Sequence, residues 1–188
     1  MPARASAQSR DALEITPFGG YRFGGGFYEI ASGRAVDVDG AASFGLVVDI
    51  PFSPDMQIEA MVTRQQARFA LPGDPAGTRW RVTVDHYQLG GLTEFGKGRS
   101  RPFLTGTLGL TRYESAGDNE VRFAGAAGGG VKLFPTPHLG LRLDGRLYGT
   151  LVDADVDALF CGPRGCIGSI DAWFVWQAEF TAGLTFRF

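Results

Sequence analysis

The chain has 188 residues, 28 of them glycine, about twice the ordinary share, and this argues against a helical bundle. At 44% hydrophobic and 20% charged residues it has enough apolar material to fold and too little charge to be disordered. Eighteen Lys and Arg against twenty Asp and Glu give a formal charge of -2, so no basic excess is available to neutralise a polynucleotide, and nucleic acid is excluded as a partner. The longest apolar runs, such as Phe44 to Ile50, are broken by Gly or Asp within about ten residues, short of the ~20 that a spanning helix needs.

Residues 1–11 read as a tail. Within it Ala5-Ser6-Ala7 has the small-x-small form of a signal-peptidase site, but no apolar core precedes it, so a processing remnant and an ordinary Ala/Ser-rich tail both stay open. From residue 12 to 188 the dominant signal is alternation with period two, the mark of amphipathic strands. Leu13, Ile15, Pro17, Tyr21 and Phe23 share one phase and Glu14, Thr16 and Arg22 the other. Phe44 to Phe52 and Met56 to Val62 repeat the pattern.

In the fourth segment Trp80, Val82 and Val84 are apolar in one parity and Tyr87, Leu89 and Phe95 in the other, so a β-bulge near Asp85-His86 is expected. Leu104 to Leu110, Val121 to Leu133, Leu139 to Leu151 and Phe174 to Phe188 complete eight segments. The connections alternate. Those around residues 29–42, 67–79, 114–120 and 153–172 are long and polar; Ser53-Pro54-Asp55, 96–101 and 135–138 are short, as in an up-and-down barrel with loops at one end and tight turns at the other.

The polar phase carries charge in mid-strand: Arg22, Arg81, Lys132, Arg142 and Arg146 beside Asp49, Glu59, Asp144 and Glu179. In a soluble barrel these would be wet surface. Several segments alternate for ten residues or more, however, longer than the usual soluble strand and matched to a tilted crossing of a bilayer. Aromatics on the apolar phase also fall in two groups. Phe23, Phe27, Phe44, Trp80, Phe123, Phe174 and Trp176 lie toward the long connections, and Phe52, Phe95, Phe134, Phe186 and Phe188 toward the short ones, as girdles at two interfaces would.

These residues resemble the small eight-stranded bacterial outer-membrane β-barrels, such as the membrane domain of outer membrane protein A and outer membrane proteins X and W, over residues 12–188. The terminus Phe180, Ala182, Leu184, Phe186 and Phe188 is similar to that family's C-terminal assembly signal, and residues 15–24 and 101–109 are similar to its strand openings. The resemblance implies an all-β, antiparallel up-and-down transmembrane barrel in the bacterial outer membrane, with periplasmic turns and extracellular loops. Its implied partners are outer-membrane lipid, lipopolysaccharide and the barrel-assembly machinery.

An eight-stranded lumen holds little more than side chains. The inward charges must therefore pair, with Arg142, Asp144, Arg146 and Glu179 expected at the centre and Arg22 joining them across the closure. The expected function is a rigid envelope anchor with a largely closed lumen, whose exposed loops provide an interaction surface. The loop with Asp153, Asp155 and Asp157 is the longest, and its acids either stay solvated or bridge through divalent cations to lipopolysaccharide. Cys161 and Cys166, enclosing Gly-Pro-Arg-Gly, read as a local disulfide in an oxidising compartment. No metal or cofactor is expected, since His86 and His138 have no ligand-spaced neighbours.

Two alternatives remain. One is a narrow channel or lateral passage for small apolar solutes, for which Gly125, Gly128, Gly129 and Gly130 either thin the wall or simply bend it. The other is a lipid A-modifying enzyme, disfavoured because neither histidine belongs to a nucleophile-and-base pattern.

Overall fold

The computed structural model describes residues 12–25, 27–28, 35–36, 39–70, 79–96, 98–115, 118–153 and 173–188. Ten strands follow one another: β1 (Glu14–Gly24), β2 (Phe27–Tyr28), β3 (Ala35–Val36), β4 (Ala41–Ser53), β5 (Met56–Ala70), β6 (Arg79–Glu94), β7 (Ser100–Ser115), β8 (Asp118–Leu133), β9 (Leu139–Asp153) and β10 (Trp173–Arg187). β2 and β3 form a two-stranded ribbon. The other eight close into an antiparallel barrel in which each strand pairs with its chain neighbour.

Closure is made by β1 against β10, in register from Glu14↔Arg187 to Gly24↔Gln177. No sheet edge is then left unpaired around the wall, which is the condition for β-structure in hydrocarbon, where an unpaired backbone group costs several kcal/mol. Barrel strands of 11 to 16 residues are long enough to cross a bilayer at a tilt.

Alternation decides what each face meets. Leu46, Ile58, Leu89, Leu104, Leu108, Leu147 and Leu184 are exposed on the outside, while Glu59, Lys132, Arg142 and Glu179 are buried inside. This inverts the usual arrangement of a soluble domain, where charged groups are almost never fully buried. Exposed aromatics stand at both ends of the outer face, with Phe23, Phe44, Phe123 and Trp176 toward the long connections and Phe52, Phe95, Phe186 and Phe188 toward the short turns. Phe134 differs from expectation. It is 4% exposed and turned inward, because two guanidinium groups hold its ring beneath the barrel. The side chains of Phe27, Trp80 and Phe174 lie outside the described residues.

Three further expectations are corrected. β6 pairs with β5 without a break from Met56↔Thr93 to Ala70↔Arg79, so there is no bulge at Asp85-His86. Parity is continuous, and Val82 and Val84 instead point into the barrel, where they pack on Ala67. The connection around 114–120 is mostly strand, with β7 and β8 paired out to Ser115↔Asp118.

At the β8 glycines the wall is intact, since Gly125, Gly128, Gly129 and Gly130 are paired on both sides with β7 and β9. At Gly130 an added Cβ would lie 1.9 Å from the Leu143 carbonyl oxygen, so close backbone approach accounts for this glycine.

Candidate functional site

Among the described residues the fully buried charges lie in the lumen, whose contents fall into three layers. The layer nearest the short turns is ionic. Glu14 on β1 accepts from Arg187 Nη2 at 2.5 Å and from Lys132 Nζ at 2.7 Å. Lys132 on β8 also donates to Asp49 Oδ2 at 2.8 Å and Gln57 Oε1 at 2.7 Å, and lies 3.2 Å from Glu94 Oε1.

Arg142 continues the chain of pairs, with Nη1 donating to Asp49 at 2.8 Å and Nη2 to Glu59 at 2.5 Å. Arg146 reaches the same Glu59 through Nη1 at 2.7 Å and Nη2 at 3.0 Å, and Asp144 at 2.6 Å. The Thr105 hydroxyl donates to Glu59 Oε1 at 2.9 Å. Glu59 thus satisfies two arginines from β9, across the lumen, and a hydroxyl from β7.

Counted by sign, this layer holds Arg101, Lys132, Arg142, Arg146 and Arg187 against Glu14, Asp49, Glu59, Glu94 and Asp144, five and five. Its charge cancels. Lys132, Asp49 and Glu59 are each 0% exposed, so the layer fills the bore. Two phenylalanines serve as spacers. The Phe134 ring lies 3.8 Å from the Arg187 Cζ and 5.1 Å from that of Arg101, and the Phe103 ring faces Arg142 at 4.5 Å and Lys132 at 5.8 Å. Each ring presents its negative faces to cations, which reduces their mutual repulsion.

The middle layer is apolar: Phe18, Val47, Met61 and Tyr148 form a buried cluster with Ala126 packed on it. Sequence alternation placed Val47, Met61 and Tyr148 on the polar phase, and only the closed barrel shows that they meet. Along β5 the order Glu59, Met61, Thr63 puts this layer directly above the ionic one.

Toward the long connections the third layer is polar, with one fully buried charge pair among the described residues and the more exposed Arg122–Glu120 pair at the mouth. Arg22 Nη2 donates to Glu179 Oε1 at 2.9 Å and to Thr63 at 2.9 Å, and the Tyr148 hydroxyl donates to Glu179 Oε2 at 2.6 Å. His86 is 0% exposed, held by Thr111 at its Nδ1 (2.8 Å) and Gln177 at its Nε2 (3.2 Å), with its ring stacked on Tyr148 at 4.4 Å.

Of the residues predicted for the lumen, the structure brings Asp49, Glu59, Lys132, Arg142, Asp144 and Arg146 into the ionic layer, and Arg22 and Glu179 into the upper one. Glu179 is not at the centre with Arg142, Asp144 and Arg146. It stands opposite Arg146 in register, yet Arg146 turns to Glu59 while Glu179 turns to Arg22. Arg81 is not luminal at all: continuous parity in β6 puts it on the exposed outer face.

The sequence reading missed Glu14, Glu94, Arg101 and Arg187 as members of the ionic layer. Each lies near a strand end, where alternation in sequence is shortest and its phase hardest to follow. Phe180, Leu184, Phe186 and Phe188 all project outward on β10 and its end. Cys161 and Cys166 lie outside the described residues. Among the described residues no group of three or more His, Cys, Asp or Glu side chains is placed to hold a metal ion.

No family model matches the sequence, and the comparison with curated proteins finds no match either. Solved structures do match. Neisserial surface protein A aligns over 94% of this chain and 97% of its own, with a TM-score of 0.64 at 14% identity. The outer membrane protein OprG from Pseudomonas aeruginosa aligns over 96% and 98%, with a TM-score of 0.56 at 12% identity. At these identities the likeness is one of fold, and the fold is that of the small eight-stranded β-barrels of the outer membrane.

Proposed function

We propose that the chain is an outer-membrane anchor whose lumen is closed to solutes and whose long connections present an interaction surface. The observation that carries this reading is the five-against-five ionic layer capped by an apolar one. A conducting pore keeps water beside its charges, whereas here the charges meet each other and an apolar plug sits above them. Rigid walls with variable loops are the usual division of labour in such scaffolds. The acidic connection with Asp153, Asp155 and Asp157 is the proposed contact region; beyond Asp153 it lies outside the described residues.

Barrel insertion would be directed by the outward aromatic terminus ending in Phe186 and Phe188, read by the assembly machinery. The barrel is read as non-enzymatic. Among the described residues His86 is enclosed between a threonine, a glutamine and a tyrosine ring, with no carboxylate in its hydrogen bonds, and His138 Nδ1 meets the Arg187 carbonyl at 3.3 Å. General acid-base work requires a partner within hydrogen-bond reach of a substrate.

Two measurements test the proposal. Proteoliposomes loaded with a small sugar should retain it as well as empty vesicles do, and rapid efflux would reject the closed lumen. Deleting residues 154–171 should weaken adhesion or alter envelope permeability while leaving the barrel folded. No change in either would remove the interaction role and leave the anchor.

A second reading rests on one feature of the wall. The β7–β8 ladder extends to Ser115↔Asp118, whereas the β8–β9 ladder runs from Leu133↔Leu141 only to Ala124↔Thr150. Near the same end the lumen is lined by apolar Ala67, Val82 and Val84. A small apolar solute entering there would leave sideways between β8 and β9. Vesicle uptake of such a solute, abolished by a disulfide joining residues 122 and 152, would support passage; uptake unaffected by it would not.

A further inference from the structure

The outward face of each barrel strand carries an uncharged belt, and the belts are unequal in length. On β9 the outward positions run uncharged from Leu139 to Leu151 and on β8 from Val121 to Leu133, thirteen residues each. Trp176 to Phe186 on β10, Leu13 to Phe23 on β1 and Ala42 to Phe52 on β4 each span eleven. The belt then shortens. It spans nine residues on β7, from Pro102 to Leu110, nine along β6, from Tyr87 to Phe95, and seven on β5, from Met56 to Val62.

The missing length lies toward the long connections. There Arg64, Asp85 and Arg112 form one hydrogen-bonded row across β5, β6 and β7, two residues beyond Val62, Tyr87 and Leu110. Arg64 grips Asp85 through Nε at 2.7 Å and Nη2 at 2.8 Å while its side chain stays 45% exposed. At the opposite end the short belts begin beside the turns, at Met56 and Phe95, as the long one does at Leu139.

A residue of a tilted barrel strand advances about 2.5 Å across the membrane, so seven residues cover about 18 Å and thirteen about 33 Å, on either side of the ~25 Å apolar band usual for such barrels. Leaning the barrel does not reconcile them. A flat slab of uniform thickness cuts the same height from every side of a cylinder at any tilt, so unequal belts require a bilayer whose thickness changes around the wall. The alternative lays hydrocarbon over the Arg64–Asp85 pair, which takes charge out of water. Below the row the same face also carries a groove of about 380 Å³, lined by Ala60, Leu46, Val62, Tyr87, Leu89 and Leu108.

We infer that the barrel thins the bilayer along β5, β6 and β7, in the leaflet facing the long connections, and that this face seats lipid with shorter acyl chains than those along β8 and β9. The inference rests on the membrane-barrel reading and adds to it a thin side and a thick side. The groove around Ala60 takes the chain, and the row of Arg64, Asp85 and Arg112 sets where hydrocarbon ends. Lipids adapt to a short apolar surface by thinning, and mismatch of this kind sorts molecules by length.

The test uses the full chain in lipid nanodiscs, with backbone amides read by NMR against a water-soluble gadolinium chelate and folding checked by heat-modifiable gel mobility. In dioleoyl-phosphatidylcholine the band of amides sheltered from the chelate should be about four to six residues shorter on β5 than on β9. The double variant Arg64→Leu/Asp85→Leu removes both partners of the pair together, and should lengthen the band on β5 and β6 by about two residues, toward Gln66 and Thr83. In an equimolar mixture of dilauroyl- and dioleoyl-phosphatidylcholine, a nitroxide at the chain end of the dilauroyl lipid should relax Ala60 and Leu89 about twofold more, relative to Leu147, than the same label on the dioleoyl lipid.

Bands of equal length on β5 and β9 in the folded protein would overturn the thinning. An unchanged band in the folded double variant would overturn the role given to the charged row, and equal chain preference at Ala60 and Leu147 would overturn the fit to short chains. A wild-type chain with no sheltered band on any strand would instead strike the membrane-barrel reading itself.

Discussion

The two ends of the lumen solve the same problem by different means. Near the short turns, charge is packed densely and cancelled through shared partners, so that Glu59 alone answers Arg142 and Arg146. Near the long connections one fully buried pair, Arg22 with Glu179, stands among hydroxyl, amide and imidazole groups of Thr63, Thr111, Thr150, Gln177 and His86. Buried polar atoms without a hydrogen-bond partner occur in both parts: Arg22 Nε and Nη1, Ser43 Oγ and Gln65 Oε1 above, Asp49 Oδ1 and Arg187 Nη1 below. A buried charge is tolerated in proportion to the partners it finds, and the lower layer is the one where loss of a single residue orphans several others.

Substitutions can break this contrast. The largest effect is expected from Glu59→Ala, which leaves two buried guanidiniums with less negative charge than they need; a loss of about 3–5 kcal/mol in urea unfolding from lipid vesicles is expected. Glu179→Gln keeps the shape and one acceptor oxygen but removes the charge facing Arg22 and Tyr148, and should cost about 1.5–3 kcal/mol in the same assay. Because an apolar layer separates the two acids and they share no partner, the double variant should be additive within about 0.5 kcal/mol. Strong coupling would show that the lumen is one network instead of two.

Smaller effects sharpen the comparison. Thr111→Val removes a hydroxyl bonded to His86 and Thr150, for an expected loss of about 0.5–1.5 kcal/mol. Arg64→Gln, on the exposed outer face, breaks an ion pair that meets solvent or headgroups and should cost less than about 1 kcal/mol. If Arg64→Gln proved as damaging as Glu59→Ala, the assignment of inside and outside would need revision.

Alternation made the barrel legible before any coordinates. A period of two, held past the length of a soluble strand and charged on one phase, is a pattern that hydrocarbon outside and paired ions inside both require. The limits of that signal are equally physical. Val82 and Val84 are apolar yet point inward, because near the mouth they pack on Ala67, and so their phase suggested a bulge that does not exist. Arg81 was assigned to the lumen through the same error; it stands outside because beyond the apolar belt the outer face is charged too.

Partner choice within the lumen was also hidden. Register sets which residues are opposite along the wall, but long side chains reach across the bore, so Arg146 passes over its neighbour Glu179 to meet Glu59 from β5. The apolar layer of Phe18, Val47, Met61 and Tyr148 was illegible for a related reason, since its members come from β1, β4, β5 and β9 and become neighbours only on closure.

The central claim is that ions buried in balance with one another, beneath an apolar layer, close this barrel. Single-channel recording of the refolded full-length wild-type protein in planar bilayers tests it most directly. The account predicts a membrane that stays at baseline, without steady open levels; large, steady conductance from the folded wild-type barrel would contradict it.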